Sequence, residues 1–83
     1  MIFLIEYDRA EGAIVNLKSF SDDDSDLASK ERLALEIKLL SERVVREVVV
    51  LQASSLDALK LTHNRYFQNV GQLAQTGTNL FKN

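Results

Sequence analysis

The run Val48-Val49-Val50-Leu51 restricts the fold of this chain more than any other segment. Three of its four residues are β-branched, and successive strand residues point to opposite faces, so a strand here is apolar on both sides. Such a strand needs cover above and below, and a long apolar edge invites uncontrolled pairing unless something protects it. A second apolar run, Met1 to Ile5, precedes Glu6. It has no basic leader and no small-residue cleavage site, and no run in the chain nears the ~18–20 apolar residues of a membrane span. The expectation is a cytoplasmic protein without a membrane segment.

Around these runs the alternation predicts two more strands. Ile2 to Tyr7 places Phe3, Ile5 and Tyr7 on one face and Ile2, Leu4 and Glu6 on the other. Asp8 to Gly12 reads as a hairpin loop closed by a left-handed Gly12. Ala13 to Phe20 then sets Val15 and Leu17 against Asn16 and Lys18, as a half-exposed strand does.

Ser21 to Asp26, Ser-Asp-Asp-Asp-Ser-Asp, supplies caps and negative charge for the start of a helix that runs to about Arg43. At ~100° per residue its apolar positions form two opposed stripes: a broad one of Leu33, Ala34, Ile37 and Leu40, and a narrow one of Ala28, Leu35 and Leu39. A surface helix ordinarily has one stripe. The broad one is expected on the sheet and the narrow one on the C-terminal helix or another subunit.

A third strand lies within Val44 to Ala53 and is expected to be the best-buried one. A right-handed crossover seats it beside the first strand, giving the order 2-1-3. Ser54 or Ser55 caps a last helix, with Asp57 completing a capping box after Ser54. Leu56, Leu59, His63, Tyr66, Phe67 and Val70 share one arc of that helix, and Gly71 stops it. The fold expected is α+β, β-β-α-β-α, a three-stranded antiparallel sheet with a long helix on one face and a C-terminal amphipathic helix. Residues 1–71 form one domain and 72–83 a flexible tail.

Composition narrows the function. The 83 residues contain no cysteine, which removes disulfides, zinc–thiolate centres and thiol catalysis. Ten Lys and Arg against twelve Asp and Glu leave a net charge of −2, so no long-range field draws nucleic acid or anionic lipid. Asp22, Asp24 and Asp26 match the first, third and fifth places of a calcium loop, but Leu27 stands where its glycine belongs and Leu33 where its glutamate belongs. Helix capping is the better reading of those aspartates. No phosphate-binding glycine loop, zincin motif or nucleophile elbow occurs.

The candidate catalytic residues are His63, the sole histidine, and Tyr66. No carboxylate sits three or four positions from His63 to poise it as a base, and a histidine in an apolar stripe reads as an interior or interface residue. Tyr66 and Phe67 read as core aromatics, and Arg65, outside the stripe, as a solvated or ion-paired side chain. A composite site would require His63, Tyr66, Glu6 or Asp57 to converge from separate segments. No metal and no cofactor is expected.

The phrases Tyr7-Asp8-Arg9 with Gly12, Glu47 to Leu51, Leu59 with Thr62-His63, and Arg65-Tyr66-Phe67 resemble those of small bacterial proteins of similar length with no assigned activity. The resemblance spans residues 2 to 67 and implies a bacterial, cytoplasmic setting and no reaction.

The two-sided helix and the two-sided third strand lead to the expectation of a non-catalytic homodimeric interaction protein. Its third strand would pair with its own copy, its interface candidates are Leu35, Leu39, Val48, Val50, His63, Tyr66 and Phe67, and a further protein partner fits the same role. A nucleic-acid-binding regulator is the competing expectation, with only Arg9, Lys18 and Arg46 on or near the strands to meet phosphates. An enzyme using His63 at an interface is the third.

Overall fold

The computed structural model describes residues 1–68. Strand β1 (Ile2–Asp8) is central, flanked by β2 (Ala13–Phe20) and β3 (Glu47–Gln52), both antiparallel to it, in the order β2-β1-β3. Helix α1 (Ser25–Ser41) and helix α2 (Leu56–Thr62) cover opposite faces, the latter followed by a 3-10 turn over Asn64–Tyr66. The expected α+β arrangement and strand order are present.

Strand alternation produces two core layers. Under α1, Ile2, Leu4, Phe20 and Ala28 pack with Val48 and Val50. On the other face Phe3, Ile5 and Leu59 pack with Tyr7, Ile14, Leu17, Val49, Leu51 and Phe67. Being central, β1 is the best-buried strand, with Ile2 to Glu6 all buried, whereas β3 is half-buried along most of its length. This reverses the sequence expectation, because β3 has only one neighbouring strand.

The hairpin closes as the residues suggest. Asp8 accepts hydrogen bonds on Oδ1 from the backbone N–H groups of Ala10 (3.0 Å) and Glu11 (3.1 Å), and Gly12, at φ 67°, returns its N–H to the Asp8 carbonyl at 2.8 Å. Glu6 pairs with Asn16 but Tyr7 pairs with Ile14, leaving Val15 as an extra residue in a bulge. Ile14 and Leu17, not Val15 and Leu17, therefore share the inner face, and Val15 is exposed.

Helix α1 is rotated opposite to expectation. Its narrow stripe faces the sheet: Ala28 and Leu39 are buried and Leu35 half-buried. The broad stripe faces outward, with Leu33 57 %, Ile37 58 % and Leu40 79 % exposed. Ala28 has no accessible surface, and so small a side chain lets the helix settle closely on Ile2, Leu4 and Phe20. At the front, Asp22–Asp24 form a 3-10 turn, and the Ser21 hydroxyl donates to Asp24 Oδ2 at 3.1 Å without capping a backbone N–H. At the back, Arg43 takes φ 58°, its N–H reaching Leu40 O (3.1 Å) and the Val44 N–H reaching Leu39 O (2.9 Å). That pair of bonds is a Schellman ending with an arginine where glycine is usual.

Ser55, not Ser54, caps α2, its Oγ accepting from the Ala58 N–H at 3.0 Å, and Asp57 completes no capping box. The helix then stops at Thr62, short of the expected end, because His63 leaves helical geometry at φ −128°, ψ 48°. The single arc from Leu56 is broken there: Leu59 and Tyr66 are buried, Leu61 is exposed, and Tyr66 and Phe67 reach the sheet through the 3-10 turn and the residue after it. Val70, Gly71 and the tail 72–83 lie outside the described residues. No helix among the described residues is long and apolar enough to cross a membrane.

Candidate functional site

Parity along the strands assigns every polar group to a face. Glu47 opens β3 on the α2 side, opposite Tyr7 of β1. Arg65 donates Nη1 to Glu47 Oε2 and Nη2 to Oε1, both at 3.1 Å, the Tyr66 hydroxyl donates to Oε2 at 2.5 Å, and Arg9 Nε lies 3.8 Å from Oε1. The Arg65 guanidinium sits 4.4 Å from the Tyr66 ring centroid and 5.7 Å from that of Tyr7, and the two rings meet edge-on at 5.1 Å. The bonds from Arg65 and then Tyr66 hold the Glu47 carboxyl down at about 2. The bond to Glu47 raises Arg65, while burial, followed by the bond to the Glu47 carboxylate, raises the Tyr66 phenol.

A carboxylate with both oxygens engaged and a depressed pKa is a poor base, and a phenol pushed upward is a poor acid at neutral pH. This cluster is a clamp that fixes the turn after α2 to the start of β3. Sequence reading named Tyr66 and an ion-paired Arg65, but not their shared partner Glu47, which lies 18 and 19 residues away.

On the α1 face, Glu6 is buried and accepts a hydrogen bond from Arg46 Nη1, while Arg46 Nε lies 3.6 Å from Asp8 Oδ2. Glu6 and Tyr66 are thus on opposite sides of the sheet, and Asp57 is exposed in the first turn of α2. The convergence that a composite catalytic site needs is not formed within the chain. His63 is half-buried where α2 ends, and its ring makes no hydrogen bond or ion pair with the described residues.

The cations weighed for nucleic acid are all engaged by carboxylates: Arg9 with Glu47, Arg46 with Glu6 and Asp8, and Lys18 with Glu31 at 2.7 Å. Among the described residues no group of three or more metal-ligating side chains occurs. Of the aspartates in the calcium-like spacing, Asp22 meets the Met1 amino group at 2.8 Å and Asp24 takes the Ser21 hydroxyl.

The unengaged features are surfaces. Met1 and Ala53 exchange two backbone hydrogen bonds, Ala53 N–H to Met1 O at 3.0 Å and Met1 N to Ala53 O at 2.8 Å. Antiparallel pairs alternate, so Phe3–Leu51, Ile5–Val49 and Tyr7–Glu47 are bonded in the same way. The N–H and C=O groups of Val48, Val50 and Gln52 therefore point away from β1, along the outer edge of the sheet. That edge carries no proline, no lysine and no bulge, whereas the opposite edge, β2, has both the Val15 bulge and Lys18. Above the β3 edge a cleft of about 200 Å³ is lined by Ile2, Ser25, Ser29, Val50, Leu51 and Gln52.

The interface candidates divide accordingly. Val48 and Val50 lie on this edge with side chains under α1, Leu35 and Leu39 lie within the α1 layer, and Tyr66 and Phe67 lie on the α2 face. The exposed residues Leu33, Ile37 and Leu40 are the broad stripe expected on the sheet, and Val45, beyond the end of α1, is 91 % exposed. No family model, curated protein or solved structure matches the chain.

Proposed function

We propose that the protein is a non-catalytic interaction protein that works as a homodimer joined through the outer edge of β3. The observation that carries this reading is the edge itself: outward backbone groups at Val48, Val50 and Gln52 that meet no strand among the described residues, on a strand without proline, lysine or bulge. Buried backbone groups must be paired, and an exposed strand edge is a template for another strand. The clamped Glu47 and the carboxylate-bound cations support a binding role over acid–base chemistry or phosphate contact. The outward stripe of Leu33, Ile37 and Leu40 leaves a second apolar face for a protein partner. A bacterial cytoplasmic setting belongs to the same reading, in line with a chain held by packing and ion pairs in the absence of cysteine.

Sedimentation velocity of the full chain at micromolar concentration tests it. The expected result is a species of twice the 9.4 kDa subunit. A stable monomer overturns the reading.

A further inference from the structure

We infer that the dimer's two-fold axis passes through Val50, so that β3 pairs antiparallel with β3 of a second copy and Arg32 of each subunit faces Asp26 of the other. The inference rests on the homodimer reading above and specifies its geometry.

The register follows from the outward groups. In an antiparallel ladder only residues whose N–H and C=O point outward form bonded pairs, here Val48, Val50 and Gln52. With Val50 opposite Val50, Val48 meets Gln52 twice and all three residues of both copies are paired. A shift of two residues in either direction leaves an outward residue of each strand without a strand partner. The same register sets Glu47 opposite Ala53 of the second copy and brings no two carboxylates together. The sheet then runs β2-β1-β3-β3-β1-β2.

The helices fit the same axis. Helix α1 packs over β1 and β3, against Ile2, Leu4, Val48 and Val50. If its axis lies over their boundary, the two helix axes stand two strand spacings apart, about 10 Å, which is the distance at which helices pack. Glu31 bonds Lys18 on the β2 side of α1, while Ser25 and Ser29 line the cleft above Val50 on the β3 side. The small serines allow the close approach, and the second copy's helix closes the cleft. Because Ser29 and Val50 line the same cleft, antiparallel helices cross near Ser29, which places Arg32 opposite Asp26 of the second copy, twice by symmetry. Among the described residues Arg32 has only an exposed pair with Glu36 at 3.7 Å, and Asp26 is exposed.

The cysteine-free chain makes the test clean. The Cα atoms of a bonded antiparallel pair lie about 5.5 Å apart, within disulfide reach. Full-length Val50→Cys is expected to cross-link to itself under mild oxidation, and Val48→Cys to cross-link with Gln52→Cys but not with itself. Arg32→Asp is expected to weaken the dimer at least about tenfold, and adding Asp26→Arg to restore it to within about threefold. A dimer in which Val48→Cys links to itself, or in which Val50→Cys stays unlinked and Arg32→Asp has no effect, overturns the geometry and leaves the homodimer standing. A monomer overturns both. A monomer whose Val48 and Val50 amides resist hydrogen exchange would show the edge taken by the chain's own residues 69–83.

Discussion

The Tyr66 hydroxyl donates to the Glu47 carboxylate at 2.5 Å, tying the turn after α2 to the first residue of β3. Removing it leaves a half-buried carboxylate oxygen one donor short. Tyr66→Phe is expected to lower stability by about 1–2 kcal/mol, seen as a fall in the urea midpoint with an unchanged slope. An unchanged midpoint would mean that the clamp contributes nothing in solution.

The same carboxylate predicts a pH dependence. Glu47 is lowered from 4.5 to about 2, so its contribution is fully present above pH 4.5 and is lost as the pH falls toward 2. The stability difference between the wild-type protein and Glu47→Gln should therefore shrink through that window. A difference constant from pH 6 to 2 in urea titrations would contradict the bonding described.

The pair of buried Glu6 and half-buried Arg46 gives an asymmetric prediction. Arg46→Ala strands a buried carboxylate and should cost about 3–5 kcal/mol, whereas the double change Glu6→Leu with Arg46→Met should be near neutral. Equal losses in equilibrium unfolding would place the cost in packing instead of charge.

Leu39 and Leu40 are neighbours with opposite environments, 8 % and 79 % exposed. Leu39→Ala should cost about 2–4 kcal/mol, and Leu40→Ala should stay within about 0.5 kcal/mol in unfolding of the chain. Thermal melts of the two variants separate these outcomes. The reverse ranking would restore the broad stripe to the sheet.

Arg43 occupies a left-handed backbone position at φ 58°. Arg43→Gly should raise stability by about 0.5–1 kcal/mol, because glycine bears no Cβ penalty there, although it loses some in the unfolded chain. A lowered melting temperature would show that the arginine side chain makes up for its backbone.

The strands were legible because a period of two is easily read and Gly12 marks the hairpin. The order β2-β1-β3 followed from the handedness of one crossover. The rotation of α1 was not legible, since its two apolar stripes balance and only the fit of Ala28 against Ile2 and Phe20 separates them. The early end of α2 was hidden because no glycine or proline marks His63, whose backbone yields so that Tyr66 and Phe67 reach the sheet. The Glu47 clamp depends on that turn, and local spacing carries no trace of it.

The unequal edges of the sheet also govern how far assembly can proceed. A sheet open on both sides would add subunits without end and make a fibre. Here the Val15 bulge and Lys18 guard one side, and in the proposed dimer a two-fold through β3 consumes the other. In that dimer one guarded and one unguarded edge would encode a stopping rule: the sheet grows once, to two subunits, and presents β2 at both ends.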